Sequence, residues 1–239
     1  MNTLPTPAPI LDAPARRKKP LTNDEVYLKL QQAVFEQRLF PGTKLLEERL
    51  AGVVGLSRAK IRQVLARLAH ERLVTLIPNR GAFVASPSIE EAREVFVARR
   101  ILEPGMVRLL CQDVPPASIE RLRLHVAQES AARLQNDRSA IIRLSGEFHL
   151  LLAELAGNRS VARMLRELCA QTCLIITLYD KPSAPACPHH EHTDIVDAVE
   201  AGDAERAAQA MLAHLDHIER TLDLAGADEP SVDLEAIFA

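Results

Sequence analysis

The sequence predicts a mainly α protein, with three helices and a β-hairpin followed by an all-α bundle of about six helices. Three observations carry that prediction. Apolar residues recur at helical spacing through most of the 239 residues, from Val26 to Leu224. Hairpin signals are confined to one place, where Val74 to Ile77 and Ala82 to Ala85 flank Pro78-Asn79-Arg80-Gly81. Glycine is scarce, with 9 residues, while the helix formers Ala, Leu and Arg abound.

Composition narrows the function. No long uncharged apolar run is present, so no membrane span is expected. The apolar residues of the N-terminus are interrupted by Pro5, Pro7, Pro9 and Pro14, which is not the core of a secretory signal. Cys111, Cys169, Cys173 and Cys187 show no zinc-finger pairing, and free thiols in a reducing cytoplasm are expected. The net charge of −3 hides a split. Residues 1–86 hold 14 Lys+Arg against 7 Asp+Glu, a net +7, and the remainder is −10. A basic front joined to an acidic rear is the pattern of a nucleic-acid reader carrying a separate module.

Residues 1–21 form the first unit. They are Pro-rich, contain Arg16-Arg17-Lys18-Lys19 and have too little apolar surface to fold alone. A disordered basic arm, able to add phosphate contacts, is expected. From Asn23 to about Gln37 a first helix carries the stripe Val26, Leu30, Ala33 and Val34, capped by Thr22 or Asn23 and stopped by Phe40-Pro41-Gly42. Leu46, Leu50 and Val53 fall at helical spacing in a second helix, which Gly55-Leu56-Ser57 breaks. Ser57 caps a third, in which Ile61, Val64, Leu65 and Leu68 form one stripe and Arg58, Lys60, Arg62 and Arg67 lie mostly off it. A helix buried on one side, with cations at the N-terminal end of the other, has the geometry of a recognition helix in the major groove. Arg80 sits at the hairpin tip, within reach of a phosphate or the minor groove.

Helices follow to the end. Ser88 and Glu91 have capping-box spacing and open a helix over about 89–112. The Pro115-Pro116 pair breaks it, and a second runs over about 117–134 with Ile119, Leu122, Leu124 and Val126. The third, about 138–156, ends at Gly157-Asn158, and the fourth, about 159–179, is almost continuously apolar. A Pro- and Ala-rich loop at 181–188 precedes the fifth, about 189–201. Asp203 caps a sixth that reaches about 224, and an acidic tail closes the chain over 227–239.

Two groups of residues resemble a known family. Pro41-Gly42, Leu45, Leu50-Ala51, Gly55-Leu56-Ser57-Arg58, Arg62, Leu65, Leu68, Leu73-Val74 and Arg80-Gly81 look like the winged helix-turn-helix of GntR-family transcription regulators. Arg99-x-x-Leu102-Glu103, Phe148-His149, Ala156-Gly157-Asn158, Glu191-His192, Ala201-Gly202-Asp203 and His214-Leu215 resemble the FCD effector-binding domain of the FadR subfamily. The resemblance implies a DNA-binding domain at 22–86 and an all-helical effector-binding and dimerisation domain at 87–226. Members with a strand-rich effector domain or a fused aminotransferase are excluded, the first for want of strands and the second by length. In two places the chain departs from the family pattern. Ala59-Lys60 stands where a Thr-Pro pair is usual, and Glu48 stands where some relatives place arginine. The resemblance assigns DNA contacts to Arg49, Ser57, Arg58, Lys60, Arg62, Arg80 and Gly81. It implies a cytoplasmic homodimer on a palindromic operator, since one winged head covers a half-site.

His149, His192 and His214 come from three predicted helices, each among apolar neighbours. Three imidazoles converging in a bundle can coordinate a divalent metal such as Zn²⁺ or Ni²⁺. Metal-binding relatives add an Asp one turn before the first His, where this chain has Ser145. Water or the carboxylate of an effector can fill that position. Core histidines that bind an organic acid without metal are the other reading. His217, one turn beyond His214, is a reserve ligand. Arg99 either forks a ligand carboxylate or pairs with Glu103 four residues on. Cys169 and Cys173, one turn apart, are read as core residues before a redox pair. No nucleophile elbow, phosphate loop or pair of catalytic carboxylates is recognisable, so binding rather than turnover is expected. The expected function is a transcription regulator, a repressor released from its operator by a small carboxylate effector. A metal-ion sensor and a helical metalloenzyme with a DNA-binding head are the alternatives.

Overall fold

The computed structural model describes residues 21–180 and 190–224. The arm expected before Leu21, the loop at 181–188 with Cys187, His189 and the acidic tail lie outside these residues.

The head begins with α1, Asn23–Phe35, which Thr22 and Glu25 close with a reciprocal capping box. Val26, Tyr27 and Val34 bury its inner face. Next comes β1, Lys44–Leu45, a strand the sequence reading did not foresee. Two residues show no periodicity, and it exists through its antiparallel partner, with Lys44 opposite Phe83 and Leu45 opposite Ala82. The short helix α2, Glu47–Val54, ends on Gly55 at φ 73°, a left-handed position that glycine takes without strain. The stripe expected across it is only partly inside. Leu46 precedes the helix and is 50 % exposed, and Val53 is 79 % exposed. Leu50 packs against the core as expected, joined there by Ala51 and Val54.

Helix α3, Arg58–His70, starts where the Ser57 hydroxyl accepts from the Lys60 amide, and it buries the expected Ile61, Val64, Leu65 and Leu68. The hairpin follows as β2, Val74–Ile77, and β3, Gly81–Val84, with Thr75 opposite Phe83. The three-stranded sheet has the order β1-β3-β2.

Six further helices follow among the described residues: α4 Ile89–Leu110, α5 Pro116–Leu134, α6 Arg138–Leu155, α7 Arg159–Tyr179, α8 Glu191–Glu200 and α9 Ala204–Thr221. Their starts follow local chemistry. Ser88 and Glu91 form a capping box, and Asp137, Asn158 and Asp203 each accept a first-turn amide. The stripe read on α5 is partly displaced, for Leu122 is buried while Leu124 is 62 % exposed. α9 lies along α4, and α6 is sandwiched between α5 and α7. α6 and α7 run close, since a Cβ on Gly146 would come within 3.4 Å of the Cys173 sulfur.

Two cores result. One, around Phe148, Leu152, Ile195 and Met211, belongs to the bundle. The other is continuous from head to bundle and joins Val26, Leu65 and Val84 to Phe96, Leu174, Ile175 and Ile218. Polar bonds cross the same junction. The Gln37 amide donates to the Thr177 hydroxyl at 2.9 Å, and Tyr179 donates to the Pro87 carbonyl at 2.8 Å. No helix among the described residues is long and apolar enough to cross a membrane.

Candidate functional site

Helices α6, α8 and α9 bring His149, His192 and His214 together in the bundle core, with at most 1 % of each exposed. The Nε2 atoms of His149 and His214 are 3.2 Å apart, and those of His192 and His214 are 3.1 Å apart. Phe148 stacks on His192 at 4.0 Å between ring centres and sets its plane.

The far side of each ring meets a carboxylate. His149 Nδ1 lies 2.5 Å from Glu103, His192 Nδ1 2.8 Å from both oxygens of Glu129, and His214 Nδ1 2.7 Å from Glu191. An ionised carboxylate only accepts, so each Nδ1 carries the proton and each Nε2 presents a lone pair. Burial holds His149 down at about 4 and His214 well below the usual range, so both rings are neutral near pH 7. Burial opposes the charge on Glu103, but the Arg99 guanidinium and the hydrogen-bonded His149 together outweigh it and hold the carboxyl at about 2. Burial likewise opposes ionisation of Glu129, and hydrogen bonds from His125 and His192 outweigh it, again at about 2. Glu191 is raised by partial burial.

Three inward lone pairs, with two of their separations at this spacing and all within 4.8 Å, fit a cation. Metal–nitrogen bonds of about 2.0–2.1 Å place neighbouring donors roughly 2.9–3.4 Å apart at tetrahedral to octahedral angles. Among the described residues, these three histidines form the group with metal-ligand spacing. His217 stands apart from it, partly exposed, with Nδ1 3.4 Å from Glu191. Ser145 is buried on α6, one turn before His149. His190 is exposed at the start of α8.

Arg99 is fully enclosed and meets both expectations in part. Its Nε donates to Glu103 at 2.5 Å, the i,i+4 pair, and Nη1 donates to Thr172 at 3.3 Å. Nη2 is buried without a hydrogen-bond partner. Cys169 and Cys173 are buried free thiols.

In the head, Arg49, Arg58, Lys60 and Arg62 are exposed on α2 and α3. Arg80 is exposed at the hairpin tip, 5.8 Å over the Phe83 ring, beside Gly81 at φ 100°. Glu47, missed in the sequence, reaches Arg62 at 2.8 Å and Arg58 at 3.7 Å. Nothing local announced that contact, because it links two helices. Glu129 was missed as well, and a glutamate on an amphipathic helix reads as a surface residue.

The comparisons bear on both halves. The pattern of the gntR family of bacterial regulatory proteins matches residues 22–84, and that of the FCD domain matches residues 94–217. The chain belongs to the GntR family, in its FCD-bearing branch. Among curated relatives, an HTH-type transcriptional regulator in an unstable DNA locus of Streptomyces ambofaciens is 32% identical over 137 residues, 57% of each chain. The Nta operon transcriptional regulator of Aminobacter aminovorans is 27% identical over 128 residues, 54% of this chain and 60% of its own. The transcriptional repressor RspR of Escherichia coli K12 is 24% identical over 134 residues, 56% of this chain and 59% of its own. This GntR chain thus spans less than two thirds of the length of these relatives. A GntR-type regulator from Rhodococcus sp. RHA1 superposes with a TM-score of 0.73 over 86% of this chain and 99% of its own, at 24% identity. E. coli McbR/YncC gives 0.73 over 83% and 95%, at 18% identity. At such identities the likeness is one of fold.

Proposed function

We propose that this GntR-family chain is a DNA-binding transcription regulator whose helical half senses a small carboxylate at an ion held by His149, His192 and His214. The observation that carries the reading is the convergence of three buried histidines behind an exposed basic head, with the His214 Nε2 3.2 Å from that of His149 and 3.1 Å from that of His192. A divalent ion such as Zn²⁺ or Ni²⁺ would supply a Lewis-acidic centre with open positions for an oxygen ligand. With Ser145 on α6 in place of a carboxylate ligand, the effector's own carboxylate takes that position. The unpartnered Nη2 of Arg99 supports an anionic ligand, because a buried guanidinium N–H gains most from a carboxylate.

The boundaries proposed are a DNA-binding domain at 22–86 and an effector domain at 87–226. In the first, Arg58, Lys60 and Arg62 read bases or adjacent phosphates, Arg49, Ser57 and Arg80 hold the backbone, and Gly81 joins them at the hairpin tip. Two copies bind a palindromic operator. The route from site to head is α7. Arg99 bonds Thr172 on that helix, and Thr177, about a turn and a half on, bonds Gln37 beside α1. A ligand that recruits Arg99 draws on its contact with Thr172 and so biases α7 and the head together. Repression relieved by the ligand is the proposed output.

The test is operator binding by the full chain, loaded with Zn²⁺, against a panel of mono- and dicarboxylates. One acid is expected to weaken binding at least tenfold. A response to metal alone, unchanged by every acid, would convert the reading to a metal sensor. No binding to duplex DNA at low salt would overturn it.

A further inference from the structure

The three histidines lean on carboxylates from three different elements. Glu103 belongs to α4, Glu129 to α5, and Glu191 opens α8. Glu103 and Glu129 are 0 % and 3 % exposed. Buried carboxylates destabilise a fold unless they are paired, and α5 contributes no histidine of its own to the centre. Its one inward carboxylate points at the back of His192.

Ring plane and ring tautomer have separate causes here. Phe148 stacks on His192 and fixes its plane, with 18° between the rings, but stacking does not choose which nitrogen holds the proton. A carboxylate at Nδ1 does. Were the proton to move to Nε2 of His192, that nitrogen would donate to His214 across 3.1 Å. The two rings would then close on each other as a hydrogen-bonded pair, and a cation would have to break it. Charge points the same way. Three carboxylates stand behind the three rings, against the one Arg99 guanidinium that Glu103 meets.

We propose that Glu103, Glu129 and Glu191 are positioning residues that hold the histidines in their Nδ1–H form, keep the Nε2 lone pairs unshared and supply the counter-charge for a doubly charged cation. The proposal rests on the ion-binding reading above and assigns the roles within it. Outer-shell carboxylates that orient metal-binding histidines typically change affinity 10–100-fold when removed.

The test titrates the full chain with Co²⁺ and reads both its visible d–d bands and its dissociation constant. The proteins are the wild type, Glu129→Ala, Glu129→Gln and His214→Ala, each checked by circular dichroism. Glu129→Ala is expected to bind Co²⁺ 10–100-fold more weakly with altered bands. Glu129→Gln keeps an acceptor oxygen and loses the charge, so it is expected to restore the band shape while affinity stays below wild type. Wild-type affinity and bands in Glu129→Ala, with binding lost in His214→Ala, would overturn the positioning role and leave the ion site standing. Should Glu129→Ala fail to fold, wild-type affinity in Glu129→Gln would overturn the counter-charge. No Co²⁺ bound by the wild type at millimolar concentration would remove the ion reading and this proposal together.

Discussion

His192 and His214 hold their Nε2 atoms 3.1 Å apart, while each turns its Nδ1 to a carboxylate, Glu129 for one and Glu191 for the other. Two lone pairs that face each other inside a protein repel, and a cation between them turns that repulsion into binding. Adding Zn²⁺ is therefore expected to stabilise the fold. At a free concentration 100 times the dissociation constant the gain is about 2.7 kcal/mol. For a chain of this length that raises Tm by roughly 5–10 °C. Differential scanning calorimetry with and without a chelator measures it, and His214→Ala should show no metal-dependent shift.

Glu103 shares its two oxygens between Arg99 and His149, all three inside the bundle. Arg99→Met removes the guanidinium beside a fully buried carboxylate. Breaking a buried pair in this way costs about 3–5 kcal/mol, far more than the pair itself contributes. Urea denaturation of the variant should show a loss of that size, and Arg99→Met with Glu103→Gln together should recover part of it.

Glu47 partners two candidate DNA-contacting arginines, Arg58 and Arg62. Such exposed pairs are worth under about 1 kcal/mol, so they compete weakly with phosphate. Glu47→Gln is expected to tighten DNA binding by up to about fivefold and to steepen the salt dependence by about one counterion. Arg58→Ala should act in the opposite direction, with a loss of about 1–3 kcal/mol if it reads a guanine. Fluorescence anisotropy with duplex DNA over a salt series reads both.

Much of this was legible in local sequence. Thr22, Ser57, Ser88 and Asp203 announce their helices because a cap is a bond between residues three apart, the stripe of α3 follows helical spacing, and each of the three histidines stands among the apolar residues of its own helix. What escaped depends on distant partners. β1 exists because Phe83 and Ala82 arrive beside it. Glu129 is inside because His192 meets it from 63 residues away. Leu46, Val53 and Leu124 share the periodicity of buried residues and lie outside, because α2 and α5 cover the core with other positions.

The thiols of α7 give a pH dependence. Burial pushes Cys169 up to about 12 and raises Cys173 as well. A raised thiol favours the neutral form in the fold, so this stability is complete below the ordinary thiol value of 9.0 and is lost as pH climbs from there towards about 12. At pH 8 both thiols should resist iodoacetamide in the native protein and react after denaturation, as read by peptide mass spectrometry. Stability to urea should fall between pH 9 and pH 11, and a Cys169→Ala, Cys173→Ala variant should lose less across that interval.

Gln37 and Thr177 form a polar tie between the head and α7. Gln37→Ala should leave effector affinity and basal operator affinity close to wild type while reducing the coupling between them by about 0.5–2 kcal/mol. Titrating operator affinity at saturating and zero effector measures the coupling directly.

The unbroken apolar core from Val26 and Leu65 to Leu174 and Ile218 constrains how such regulators can be rebuilt. A chimera cut at Ser86 and given another relative's reader would leave Ile175 and Ile176 on α7 facing side chains they did not evolve beside. Grafts of this kind should succeed when the surface under α1 travels with the reader, and should come out insoluble when it stays behind.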